Sequence, residues 1–207
     1  MKRILLILIA LAAAAGVRAQ QPEKNLLGVR AGLEIGYIRA RGEYVHGTTQ
    51  PRVGFRVGVS DQVLLWRRLP LYIETGVHFA SRGGRYDGTV FRPMQLQVPL
   101  LATWHFRFGR HTRLRPMAGI VYGVGIGGMA RTADGWAELY GERGFLRRSD
   151  WSARLGVELT WRRIALQAGF DTGIGDLLRP QAATPLLPAG IDELRSRSFS
   201  IQIGYDF

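Results

Sequence analysis

Ten charged side chains of this sequence obey one spacing rule. Arg30, Arg52, Arg56, Arg115 and Arg154, with Glu34, Glu74, Glu158, Asp171 and Asp206, each fall at the polar position of a segment in which polar and apolar residues alternate. Five positive and five negative groups on one face of such segments suit a buried interior, where an unpaired charge costs several kcal/mol (roughly 3–5) and a paired one is tolerated. The chemistry expected of them is a network of interlocking ion pairs, with His78, Gln95, Gln167 and Gln202 filling between. A proton or ion path along the same groups is the sharper alternative. Other chemistry has weaker support. His46, Asp87 and Ser81 come from neighbouring connections and supply a base, an acid and a nucleophile, but no motif ties them together. His46, His78, His105 and His111 have no metal-ligand spacing, and the chain has no cysteine, so neither a thiolate metal site nor a disulfide framework is available. No metal and no cofactor is expected.

The elements that must position these charges are strands, because period two is the dominant signal. In residues 27–37, Leu27, Val29, Ala31, Leu33, Ile35 and Tyr37 alternate with Gly28, Arg30, Gly32, Glu34 and Gly36. No helix sorts residues in that way. The pattern recurs over 52–59, 71–79, 95–106, 118–127, 151–161, 164–171 and 198–207. Eight strands of about ten residues make the smallest even-numbered membrane barrel. Long polar connections (39–51, 81–93, 129–150 and 174–196) alternate with short ones, the last of these being little more than Arg162-Arg163. The expected fold is therefore all-β: an eight-stranded antiparallel transmembrane β-barrel with short periplasmic turns, long extracellular loops and both termini periplasmic.

Export is expected as well. Lys2 and Arg3 precede an apolar run from Ile4 to Ala15, and Val17-Arg18-Ala19 has a small-x-small pattern, which reads as a signal peptide over 1–19 followed by a barrel domain over 20–207. Removing it lowers the net charge from +12 to +9.

Alternation alone leaves open whether the apolar face meets lipid or the core of a soluble barrel. Fourteen glycines lie in these segments or, for Gly173, just beyond one, all on the polar face, where they leave room for long side chains inside a narrow barrel. Aromatic residues gather on the apolar face near the segment ends: Tyr37, Phe79, Trp151, Phe170 and Phe199 toward the loops, and Trp104, Phe106, Trp161, Tyr205 and Phe207 toward the turns. Two such rings are the girdles of a membrane barrel. Lipid is therefore expected outside. Pro99 fits poorly, since it removes a hydrogen-bond donor from a closed sheet, and a local bulge near it is the expectation.

Arg82, Arg85, Arg147 and Arg148 are expected in exposed loops, where they either hold lipopolysaccharide phosphates or simply keep the loops solvated. The turn arginines Arg67, Arg68, Arg107, Arg110, Arg113, Arg162 and Arg163 could meet periplasmic partners. Nucleic acid is disfavoured, because the charge is divided between two ends and forms no single stripe. Trp136, Tyr140 and Phe145 are apolar residues in a polar loop: a binding patch, or a loop packed on its own rim.

Several stretches resemble one family. Met94-Gln95-Leu96-Gln97-Val98-Pro99-Leu100-Leu101 is similar to the proline-containing strand of PorT-like outer-membrane β-barrel proteins. Arg115-Pro116-Met117-Ala118-Gly119 looks like that family's next strand, although Met117 stands where an aromatic is commoner. Phe170 to Leu177 resembles its seventh strand and following loop, and Arg197 to Phe207 its closing strand. The resemblance implies that the terminal Phe207, with Tyr205, is read by barrel-assembly machinery. It also implies a link in some members to protein secretion. The function expected is a non-catalytic structural, binding or secretion/assembly accessory component of the outer membrane, with outer-membrane lipid and lipopolysaccharide as partners and, where the resemblance extends to secretion, secretion-system proteins. A lipid A-modifying enzyme and a narrow porin-like channel are the alternatives.

Overall fold

The structure is a computed structural model. It describes residues 25–207 apart from 43–45, 67–68, 87–88, 133–134, 142–143, 145 and 180–190. The expected signal peptide, Asp87, Phe145, Arg67 and Arg68 lie outside the described residues, as does the side chain of His46.

Eight long antiparallel strands follow one another round a closed ring: β1 (Asn25–Gly42), β2 (Gln50–Leu64), β3 (Leu71–Ser81), β4 (Thr89–Trp104), β5 (Thr112–Thr132), β6 (Ser149–Trp161), β7 (Ile164–Gly173) and β8 (Ile191–Asp206). Each pairs with the next, and β8 pairs with β1 from Gly28↔Asp206 to Gly42↔Ile191, so no edge remains. Closure removes the exposed N–H and C=O groups that a sheet cannot carry through lipid.

The apolar residues point outward. Leu33, Leu155 and Ile203 are 61%, 64% and 62% exposed, whereas Arg115 and Glu158 on the opposite face are fully buried. A soluble barrel would reverse that arrangement. Trp151, Phe170 and Phe199 stand on the outer surface toward the loops, and Trp161, Tyr205 and Phe207 toward the turns.

The strands exceed the ten residues the alternation marks. β1 runs to Gly42 and β5 to Thr132. Short strands at His46–Thr48, Gly84–Tyr86 and Gly135–Glu138 continue the sheet through stretches expected to be loop. The reason is solvent. Above the hydrocarbon both faces of a strand can be polar, so the alternating signal fades while the hydrogen-bond ladder continues.

The expected bulge is also elsewhere. The β3–β4 register is identical on either side of Pro99, from Thr75↔Leu100 to His78↔Gln97, and only the intervening rungs are missing. The register shift falls at Met94/Gln95, which face Gly127 and Gly125 and leave Ile126 as the extra residue. One extra residue inverts the alternation. Beyond it Met129 points out and Ala130 points in, which turns the upper part of β5 toward a second, apolar interior.

Candidate functional site

The lumen is the most highly organised polar region of the described residues. Near the turn end, two arginines and two carboxylates close a ring. Arg30 Nε donates to Glu158 Oε2 at 2.8 Å and its Nη2 to Asp206 Oδ1 at 2.6 Å, while Arg115 Nη1 lies 2.6 Å from Glu158 Oε1 and Nη2 2.8 Å from Asp206 Oδ2. Glycine makes the space: a Cβ at Gly204 would stand 2.7 Å from Arg30 Nε.

Toward the loop end the charges form a chain. Arg154 binds Asp171 through two bonds of 2.6 and 2.8 Å. Arg56 reaches Asp171 at 2.6 Å and Glu34 at 2.9 and 3.2 Å. Arg82 continues it, with Nη2 2.5 Å from Asp150 Oδ2 and 2.6 Å from Gln95 Oε1, and Nη1 3.9 Å from Glu34. Forked arginines suit such chains because one guanidinium engages several carboxylate oxygens.

Uncharged hydrogen bonds supplement these charged groups: Gln202 donates to Gln167 at 2.7 Å and Gln62 to Glu74 at 2.8 Å.

Two of the ten expected members depart from the network. Glu74 is buried but has Gln62, not an arginine, as its partner. Arg52 is half-buried near the loop rim beside Arg92, and among the described residues no carboxylate lies within ion-pair distance of it. Its strand position is inward, but β3 has already ended at that height, and the nearest inward acid on β1, Glu34, is held by Arg56.

Arg82 was expected in an exposed loop and is instead 3% exposed, with its guanidinium inside the barrel. The chain turns inward after Ser81, and burial of the arginine is offset by Asp150. Asp150 itself was missed by reading 129–150 as loop. Its parity relative to the outward Trp151 was the available signal. Arg85, Arg147 and Arg148 are exposed at the loop end.

An apolar lid closes the lumen above these charges. Ile38, Phe91, Ala130, Leu139, Tyr140, Leu146, Leu177 and Leu194 pack together inside the extended mouth. Backbone bonds hold the loops there: Leu146 N to Leu139 O at 3.1 Å, Arg147 N to Leu177 O at 2.8 Å and Leu177 N to Leu194 O at 2.8 Å. Asp176 Oδ1 accepts from both Leu178 N and Leu194 N at 2.9 Å. The Tyr140 ring lies on Gly125, where a Cβ would come within 2.5 Å of its Cζ, and burial pushes its phenol pKa up. Tyr140 thus packs within its own barrel, whereas Trp136 is 58% exposed on the outer surface. What remains at the mouth is a small cleft among Gly36, Arg82, Gln95, Tyr140 and Ser196.

Ser81 is buried on the outward row between Phe55 and Met94. Among the described residues no three His, Asp or Glu side chains are grouped to hold a metal.

An inside-out closed barrel of this kind has a recognisable sequence pattern, and residues 18–179 match the model of the outer membrane protein beta-barrel domain. The chain belongs to that family. Its location is accordingly the outer membrane.

In fold this family member is similar to Neisserial surface protein A, at 12% identity and a TM-score of 0.50, over 87% of this chain and 97% of that one. It is also similar to OprG of Pseudomonas aeruginosa (12% identity, TM-score 0.47, 90% and 98% covered). Ail of Yersinia pestis gives 11% identity and a TM-score of 0.44, with 89% and 100% covered. At such identities the likeness concerns fold alone. No curated protein sequence gives a significant match.

Proposed function

We propose that this outer-membrane barrel is a non-catalytic structural, binding or assembly accessory component whose lumen is plugged. The carrying observation is the continuity of the filling. A four-membered ion-pair ring, a six-membered charged chain and an apolar lid succeed one another from the turn end to the loop end. Eight strands enclose little more than side-chain room, and here that room is occupied. Refolded protein in planar bilayers is expected to show no stable single-channel conductance; a steady pore would overturn the plug and favour the porin-like alternative.

The proposed orientation puts both termini and the arginine-bearing turns in the periplasm after removal of residues 1–19. Phe207, 66% exposed and in edge-to-face contact with Tyr205 at 5.5 Å, then serves as the assembly signal. Arg85, Arg147 and Arg148 are the loop residues proposed to meet lipopolysaccharide; Arg82 is withdrawn from that role. The PorT-like assignment and a secretion-linked partner stay within this proposal. A stoichiometric protein co-purifying in gentle detergent supports them, and a lone barrel carrying only lipid counts against them. No observation favours lipid A modification, and His46→Ala is expected to leave lipid A composition unchanged.

A further inference from the structure

On the outer surface, just above the lipid-facing band, one indole gathers two cations. The guanidinium carbons of Arg92 and Arg131 each lie 5.8 Å from the centroid of the Trp136 ring. Three different segments bring them together. Arg131 pairs with Trp136 across the hairpin that joins β5 to Gly135–Glu138, and Val90 pairs with Arg131, which sets Arg92 one outward position below on β4. All three side chains are exposed. Arg85 lies on the same outward row, paired with Val90.

Among the described residues the charges at this site are not balanced. Among the described residues, neither Arg92 nor Arg131 has a carboxylate within ion-pair distance. Of the described residues near it, Glu138 is the acid on this outward face; it sits two residues from Trp136 and pairs across the ladder with Met129. Two exposed guanidinium groups beside one ring offer an anion two planar forks, which match phosphate oxygens. Immediately toward the membrane, the outward positions become apolar: Met94, Leu96, Ile126 and Met129 are 41%, 39%, 46% and 53% exposed. Trp136 therefore stands at the level where an amphipathic ring prefers the headgroup boundary.

We propose that Arg92, Arg131 and Trp136 form a binding site for the phosphomonoester of a membrane glycolipid, with its acyl chains lying along Met94, Met129 and Leu96. The phosphate bridges the two guanidinium groups, and the indole covers the sugar to which it is attached. The site is distinct from the loop arginines Arg147 and Arg148, while Arg85 stands on its outward row. It rests on the reading that the loop end faces the outer leaflet, although its test in micelles is independent of orientation.

The experiment is native mass spectrometry of the refolded full chain in nonionic detergent, titrated with diphosphoryl lipid A. R92Q/R131Q is expected to retain lipid about tenfold less well than the unaltered chain, the loss of a charge-assisted contact. The turn-end variant R110Q/R162Q should retain it. Dephosphorylated lipid A should bind the unaltered chain about tenfold less well, a measurement that needs no variant to fold. Equal retention by R92Q/R131Q, or equal binding of the dephosphorylated lipid, overturns the site. Loss confined to R147Q/R148Q overturns it as well, while leaving the loop proposal standing. Inorganic phosphate displacing the lipid at equimolar concentration identifies a free-anion site and overturns the glycolipid assignment.

Discussion

Asp171 has both Arg56 and Arg154 as partners at 2.6 Å, in surroundings from which water is excluded. Asp171→Ala leaves the buried Arg154 without a carboxylate and Arg56 with Glu34 alone, and should destabilise the barrel by about 3–5 kcal/mol, read from urea unfolding in detergent. Arg148→Gln, at an exposed rim position, should leave the unfolding midpoint unchanged. The sign and inward parity of eight network members were legible from period two alone. Which acid meets which arginine was not, because ring contacts such as Arg30 with Glu158 join residues 128 apart. Nor was the inward position of Arg82, which continues the parity of Tyr72, Glu74, His78 and Ala80 but falls in a stretch that reads as loop. The Arg92–Arg131–Trp136 cluster was hidden for the same reason, since it depends on cross-strand register beyond the alternating segments.

The elements carry their own tests. The β6–β7 hairpin joins Trp161 to Ile164 through Arg162 and Arg163, with Arg162 at φ 58°. A left-handed backbone at the first central residue favours glycine in such a turn, so Arg162→Gly should stabilise the protein by about 1 kcal/mol in the same unfolding assay. At the other end, Gly125→Leu should expel the Tyr140 ring from its seat. The barrel should persist, with its gel mobility still dependent on heating, while the 139–146 loop becomes open to protease. Strand number and order were readable because lipid demands a continuous apolar face. The rim was not, because above the hydrocarbon that demand ends; the bulge at Ile126 inverts the parity there, and the lid is apolar where the segments below it are charged.

For the whole molecule, the arrangement is a soluble protein turned inside out: charge in the core beside a small apolar cluster of Leu101, Met117 and Val121, hydrocarbon-loving side chains outside, and a larger apolar packing where the barrel leaves the membrane. The absence of cysteine allows one clean test of both surfaces. Ser200 is 2% exposed inside the lumen, and Leu155 is 64% exposed on the outer face. Single-cysteine variants S200C and L155C, refolded into vesicles, would be offered a water-soluble and a lipid-soluble thiol reagent. A plugged barrel with lipid outside leaves S200C unreactive to both, and L155C reactive only to the lipid-soluble one. Rapid modification of S200C by the water-soluble reagent would contradict the closed lumen, and the same result at L155C would contradict the lipid-facing surface.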